Sequence, residues 1–459
     1  MDSRIERDGL GEKEIPGGAY WGIHTARALE NFRISGYPAP SGLVRAIAMV
    51  KKAACLANAE LGYLAPEIAR AIESSCDRIL SGPCEGFFPL DALQGGAGTS
   101  THMNVNEVIA NLALEKMEKV PGDYASLHPI EDVNRHQSTN DVVPTALKIA
   151  MILSLKTLSA EIATLQGALQ AKEKEFAEIV KLGRTELQEA VPMTLGAEFA
   201  AFAEAVGRDR WRTFKCEERL RVVNLGGTAV GTGLGAPQSY IFLVIEKLRD
   251  VTGLGLSRAE QVTDATANSD CFVEVSGILK AYASNLIKIA GDLRLMNLLG
   301  EIVLPALQAG SSIMPGKINP VAAEAVIQTA LKVIANDWLV TETASRSTFQ
   351  INEFMPLLAF AMLESLELLT NISRLFARHA ALIRADGVRC ARYAAEAPAI
   401  VTAFVPALGY EKAGRLLEAF RESGRRDLRE FLCEALGREE VDRILSPQNL
   451  TSLGYRDHV

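Results

Sequence analysis

The sequence predicts an all-α protein built on a central bundle of long helices. Three observations carry that expectation. Apolar residues recur at spacings of three and four over long stretches: Met151, Leu155, Leu158, Ile162, Leu165, Leu169 and Phe176; then Val275, Leu279, Tyr282, Leu286, Ile289, Leu293 and Met296; then Met355, Ala359, Met362, Leu366, Leu369 and Phe376. Such stripes are the seams along which helices pack on helices. No convincing period-two run and no alternation of strand and helix patterns appears. Helices of 25 to 35 residues would be roughly 40 to 50 Å long, more than a single small domain can cover, so they must pack on one another.

Taken in order, residues 1 to about 40 are rich in Gly and Pro, lack a long periodic pattern and read as irregular. Helical spacing follows from Ser41 to about Gly62 and from Pro66 to about Leu80. The glycine-rich stretch Gly95-Gly96-Ala97-Gly98-Thr99-Ser100-Thr101 leads into a helix from Met103 to about Lys119. It has no lysine placed as in a P-loop and no preceding strand pattern, which argues against phosphate binding. His136-Gln137-Ser138-Thr139-Asn140-Asp141 is a polar knot ahead of the first long seam. A second knot, Gly183-Arg184-Thr185-Glu186-Leu187-Gln188, precedes a seam at Leu195, Phe199, Phe202 and Val206. Gly226 to Gly235 is a glycine-rich break. Pro320 starts a helix to about Thr341, and residues 390–459 read as shorter, more charged helices.

With 459 residues, 48% hydrophobic and 23% charged, the chain has the makings of a large core. A formal net charge of −8 excludes a nucleic-acid or anionic-membrane surface as the main partner, so a small anionic substrate needs a local cation. No apolar run reaches the length of a transmembrane helix, and the charged start MDSRIERDGLGEKEIP is no secretory signal, so a cytoplasmic protein is expected. Cys55, Cys76, Cys84, Cys216, Cys271, Cys390 and Cys433 are scattered singly and read as reduced core residues. His24, His102, His128, His136, His379 and His458 show no metal spacing, and neither a metal nor a cofactor is inferred.

The richest stretch is Gly310-Ser311-Ser312-Ile313-Met314-Pro315-Gly316-Lys317-Ile318-Asn319-Pro320. Two hydroxyls, a cation and an amide between glycines and prolines make a mobile loop that carries chemistry. Lys317 and Asn319 stand just ahead of a positive helix terminus, which suits a carboxylate. Together with the polar knots this is an anion site made of hydrogen-bond donors. If the substrate has two carboxylates and a leaving group β to one of them, proton removal creates an aci-carboxylate, whose double negative charge the donors must stabilise.

The loop resembles the GSSxMPxKxNP signature of the aspartase/fumarase superfamily. Arg7 to Glu12, Tyr20-Trp21-Gly22-Ile23-His24-Thr25 with Glu30-Asn31-Phe32, and Ser446-Pro447-Gln448-Asn449-Leu450-Thr451 are similar to the aspartase branch; the fumarase branch usually has Gly-Ala-Gln-Thr in place of Gly22 to Thr25. The resemblance covers about residues 5 to 455. It implies the three-domain fold of that family: an N-terminal domain 1–138, a central long-helix domain 139–389 carrying loop 310–320, and a small C-terminal helical domain 390–459. It implies a carbon–nitrogen lyase that takes a small dicarboxylate or amino-acid substrate, L-aspartate to fumarate and ammonia, as a homotetramer with sites shared between subunits. It implies Ser311 as general base; Thr101, Ser138, Thr139 and Ser312 on the β-carboxylate; Lys317 and Asn319 on the α-carboxylate; and Asn140 and Thr185, with Glu186 beside it, near the amino group. A serine base acts as an alkoxide held by donors under a closing loop. Helix capping is the other role open to Ser138, Thr139 and Thr185, and the two can coexist.

Three departures stand out. Glu186 replaces a commonly His, sometimes Gln, position. GTSTN reads Gly98-Thr99-Ser100-Thr101-His102, and no SGPRxG loop separates Leu295-Met296-Asn297-Leu298-Leu299-Gly300-Glu301 from Pro305. The first two are expected at or near the leaving-group end and the third in the site wall. They bear on the substrate more than on the reaction, leaving open a lyase that releases another amine or water, or an inactive structural relative. Glu186 itself either faces the amine, pairs with Arg184, or complements the following helix start.

Overall fold

The computed structural model describes residues 3–83, 86–450, 452 and 454. Cys84, Thr451 and His458, like Met1, Asp2 and the last residues of the resemblance, lie outside the described residues. The chain divides into two compact units: residues 1–159, 211–281 and 332–369 form one, and 160–210, 282–331 and 370–459 the other.

The chain opens with an antiparallel hairpin, β1 (Ser3–Asp8) and β2 (Gly11–Pro16), then α1 (Ile23–Asn31). This corrects the irregular reading of the first 40 residues. The hairpin eluded pattern reading because, of its strand residues, only Glu6 and Ile15 are buried, so no apolar alternation marks it. Helices α2 (Ser41–Glu60), α3 (Pro66–Ser81) and α4 (Thr99–Lys116) follow, with α2 packed on α3 and α4. α4 starts four residues ahead of the expected Met103, because Gly98 takes the left-handed conformation (φ +91°) that turns the glycine-rich loop into the helix.

Next come α5 (Thr139–Glu175), the hairpin β3 (Val180–Thr185) and β4 (Gln188–Thr194), and α6 (Leu195–Leu220). The short strands β5 (Val222–Val223) and β6 (Ser257–Arg258) pair in parallel around α7 (Gln238–Thr252). α8 (Val262–Ala267) and α9 (Asp270–Leu299) lead to β7 (Ile302–Val303), then α10 (Val321–Ser345) and α11 (Met355–Ala381). β8 (Arg384–Ala385) pairs with β7, and α12 (Gly387–Glu396) packs against β3. A short 3₁₀ turn, Pro398–Phe404, and helices α13 (Val405–Leu408), α14 (Tyr410–Glu422), α15 (Leu428–Leu436), α16 (Arg438–Ile444) and α17 (Pro447–Leu450) finish the chain. They enclose a core of their own around Phe404, Leu428, Leu432 and Val441.

The fold is all-α, with four two-stranded sheets attached among the described residues. Every residue of the four predicted seams is buried. In the first unit α9 and α10 are joined by Ser276 and Lys280 donating to Asp337, and α10 meets α11 where Asn336 donates to Ser365. In the second, Tyr282 bonds Ser373 (2.7 Å) and Asn285 donates to Asp209 (2.6 Å). The expectation that no segment could cross a membrane needs correction: α5 and α11 contain 18-residue windows apolar and long enough. Those windows are 72% and 61% buried within the protein, so helix packing accounts for their apolarity. The described cysteines are free thiols, all buried except the partly buried Cys271.

Candidate active-site elements

The first knot is built by the start of α5. Ser138 caps it: its Oγ accepts from the Asn140 amide (3.3 Å), and the Asp141 carboxylate three residues on accepts from the Ser138 amide (2.9 Å). This reciprocal box satisfies donors that a helix start leaves over. The other Asp141 oxygen accepts from the amides of Gly226 (3.0 Å) and Thr228 (3.1 Å), tying the glycine-rich segment 226–235 to the same helix end. Asn140 Nδ2 then donates to Ala229 O at 2.7 Å. Pro144, inside the helix, has no N–H for the carbonyl of Asn140, and Asn224 Nδ2 donates to that carbonyl instead (2.9 Å).

Behind this end lies a buried polar group. Lys51, fully buried, donates to Asn134 Oδ1 (2.7 Å). Burial pulls its ammonium well below the usual lysine range, with Asp141 opposing. Burial pushes the Asp141 carboxyl up to about 6, against its three amide bonds and Lys51. Thr101, in the first turn of α4, gives both its amide (2.9 Å) and its hydroxyl (3.1 Å) to Gln94 Oε1. His102 Nδ1 lies 2.8 Å from Thr139 Oγ1. His102 thus touches a hydroxyl that the resemblance places on the β-carboxylate, next in the chain to Asn140.

The second knot lies in the second unit and is a hairpin tip. Thr185 ends β3, and Glu186 (φ 52°) and Leu187 (φ 63°) form the two-residue turn to Gln188. Two positive φ values are what a tight hairpin connection needs, a geometry usually given to Asn-Gly. Thr185 is thus no helix cap. Neither structural role expected for Glu186 is found: Arg184 gives its Nη1 to Glu301 Oε1 (2.5 Å), and the next helix starts at Leu195. Glu186 is exposed, and no hydrogen bond or ion pair reaches its carboxylate among the described residues. Below it, fully buried Glu301 also contacts Lys181 Nζ (3.2 Å), which donates to Glu198 (2.9 Å).

The signature loop is in the same unit. Ser311 Oγ accepts from the amides of Ile313 (3.2 Å) and Met314 (2.9 Å). Asn319 Nδ2 donates to Gly310 O (2.8 Å), and Gly310 N donates to Lys317 O (2.8 Å), closing the loop on itself. A Cβ at Gly310 would stand 2.7 Å from that carbonyl, which is why glycine is needed there. Ser312 and Lys317 are exposed, as are Ile313, Met314 and Ile318, and α10 begins at Val321 just past Asn319.

Thr101, Ser138, Thr139 and Asn140 thus share one unit, and Thr185, Glu186, Ser311, Ser312, Lys317 and Asn319 the other. Within the first, the His102 to Thr139 contact joins α4 to the start of α5; within the second, no hydrogen bond joins the hairpin tip to the loop among the described residues. Sequence reading missed Asp141, Thr228 and Ala229, although the carboxylate inside the first knot and the run of glycines from Gly226 were visible signals. No cluster of His, Cys, Asp and Glu suited to a metal occurs among the described residues.

A profile of the family described as Lyase matches residues 11–335. The chain is 43% identical to an aspartate ammonia-lyase of a Bacillus species (99% of this chain, 98% of the relative). It is 45% identical to that of Pseudomonas aeruginosa (98% and 97%) and 43% identical to that of Escherichia coli (99% and 97%). Among solved structures, a fumarate lyase:delta crystallin from Brucella melitensis bound to cobalt superposes with a TM-score of 0.95 at 42% identity (98% of this chain, 100% of that one). A class II fumarase from Schistosoma mansoni does so with 0.91 at 30% (97% and 98%).

Proposed function

From the aspartase/fumarase superfamily of lyases, to which this chain belongs, we infer its reaction: a carbon–nitrogen lyase that splits L-aspartate into fumarate and ammonia. Ser311 removes a proton from the carbon next to the β-carboxylate. The electron pair moves into that carboxylate, which becomes the doubly charged aci form. Its collapse makes the double bond and expels the amino group as ammonia. Thr101, Ser138, Thr139 and Ser312 hold the β-carboxylate and donate to the charge that develops there. Lys317 and Asn319 hold the α-carboxylate, and Asn140, Thr185 and Glu186 face the amino group.

One observation carries this reading: the Ser311 oxygen already accepts two backbone amides, in a loop that also presents an exposed lysine. Amides aimed at one oxygen favour it as an anion, which is the form a serine base needs. Replacing Ser311 with Ala should reduce fumarate formation, read by ultraviolet absorbance, by about a hundredfold or more while the protein stays folded. Near-normal turnover in that variant would remove Ser311 as the base.

The working form is a cytoplasmic homotetramer whose sites are shared between subunits, with 1–138, 139–389 and 390–459 as its domains. Trp211, Phe214 and Trp338 support an assembly, since these large side chains are left exposed on the long helices. Light scattering at micromolar concentration tests it, and a monomer would refute it.

A further inference from the structure

We propose that Asp141 is a positioning residue for the amino-group end of the substrate. By holding the amides of Gly226 and Thr228 it sets the Ala229 carbonyl, which anchors the Asn140 amide nitrogen and leaves the Asn140 oxygen to accept from the amino group. This deepens the reading above and rests on Asn140 facing the amino group.

Every link in that chain has a fixed direction. Asp141 is fully buried; one carboxylate oxygen accepts from the Ser138 amide (2.9 Å), and the other from the amides of Gly226 (3.0 Å) and Thr228 (3.1 Å), 85 and 87 residues away in sequence. A backbone N–H can only donate. With its carboxyl at about 6, Asp141 is ionised at pH 8, where both oxygens are acceptors only. Ala229 follows directly in the chain, and its carbonyl lies 2.7 Å from Asn140 Nδ2. A carbonyl accepts and never donates, so the end of the amide at that position is the nitrogen, and no choice between flipped orientations remains. The oxygen then stands on the other arm of this partly exposed side chain, with no hydrogen-bond partner among the described residues. An ammonium only donates, and an acceptor oxygen is what it needs.

Two further features show that the segment is held in place. Thr228 has φ 54°, a conformation that strains a β-branched residue and persists only where the surroundings impose it. Its amide goes to Asp141 and its hydroxyl to the Leu234 carbonyl (2.9 Å). Buried Asn224, from the same segment, donates to the Asn140 carbonyl (2.9 Å) and so fixes the Asn140 backbone as well. Without the Asp141 carboxylate, Thr228 is free to relax to negative φ, and the Ala229 carbonyl turns with it.

The test compares Asp141→Asn with Asp141→Ala at pH 8. Asn keeps one acceptor oxygen, which serves most when turned to the two amides of the glycine-rich segment, and gives up the Ser138 bond; Ala gives up all three bonds. The difference between the two variants therefore isolates the segment from the helix cap. For aspartate, kcat/KM should be about tenfold or more lower in Asp141→Ala than in Asp141→Asn. The inhibition constant of succinate, a dicarboxylate without the amine, should differ between them by less than about threefold. Equal kcat/KM in the two variants, or a difference that falls equally on aspartate and succinate, overturns the proposal. Asn140→Asp probes the other end of the chain on a partly exposed side chain. Its carboxylate attracts an ammonium but cannot donate to Ala229, whose carbonyl repels it, so kcat/KM for aspartate should fall about tenfold or more. Retained or improved kcat/KM in that variant overturns the proposal. Hydrogen exchange of the amides in 224–230, read by mass spectrometry, reports the Asp141 contacts whatever the substrate is, and should be about tenfold or more faster in Asp141→Ala than in Asp141→Asn. Equal exchange in the parent and Asp141→Ala overturns the proposal. A parent that turns over no aspartate, while its exchange responds to Asp141→Ala, overturns the functional reading and leaves the hold of Asp141 on the segment standing.

Discussion

Removing the carboxylate of Glu301 should loosen the β3–β4 hairpin and with it Thr185. The side chain is fully buried, takes Arg184 Nη1 at 2.5 Å and stands 3.2 Å from Lys181 Nζ. Breaking a buried pair by deleting one partner costs about 3–5 kcal/mol, because the other charge stays behind without compensation. Lys181 keeps Glu198 at 2.9 Å, and Arg184 keeps the Leu182 carbonyl (3.3 Å) and the face of Tyr393 (5.6 Å). The Glu301→Ala loss therefore falls near the lower end, about 3 kcal/mol. Trp21, Trp211 and Trp338 all belong to the other unit, so their fluorescence does not report this loss. Hydrogen exchange of the amides in 180–194 does. A loss of that size speeds exchange through local opening on the order of a hundredfold. Adding Arg184→Met to the Ala variant should cost less than Arg184→Met alone, because the stranded cation is gone. Exchange altered by less than about tenfold, or strictly additive effects, would refute the reasoning.

Three further outcomes are expected. Lys317→Met should mainly raise KM, by the few kcal/mol of one charge-assisted contact, and unchanged steady-state kinetics would remove Lys317 from the site. Glu186→Gln should weaken the preference for amine over hydroxyl substrates and alter the acid limb of the pH profile; if only thermal stability shifts, Glu186 serves the hairpin turn alone. Asp141 has its carboxyl raised from 3.8 to about 6, so the folded protein binds a proton there that the unfolded chain has released. Its stabilising contribution is present below the unfolded value and is lost as pH rises through the folded one, about 3 kcal/mol across that window. The stability of the parent relative to Asp141→Asn, from thermal midpoints, should therefore be greater at pH 4 than at pH 7, and the reverse order would show that the three amide bonds outweigh burial.

The order of residues along the chain was enough to determine the long helices. Leu155, Leu286 and Met362 repeat with the period of the helix, so each seam announces its own buried face, and all three are buried. The Ser311 to Asn319 loop was equally legible, because its glycines, prolines and donors lie within a few residues of one another. The hairpin at Ser3–Pro16 was not: Glu6 pairs with Lys13 and Arg7 with Glu12, and its strands carry no apolar alternation. Nor was the turn at Glu186 and Leu187, where the pairing of β3 with β4 holds two non-glycine residues at positive φ. Only the tertiary structure decided what surrounds each polar group. Burial sets whether Lys51, His102 and Asp141 carry charge, and it depends on α2, α4, α5 and the segment after Asn224 converging from positions far apart in the chain. His102 looks like a small change inside a loop motif when read along the sequence. Its bond to Thr139, 37 residues away, exists only because α4 and α5 meet there, and local spacing has no means of encoding that meeting.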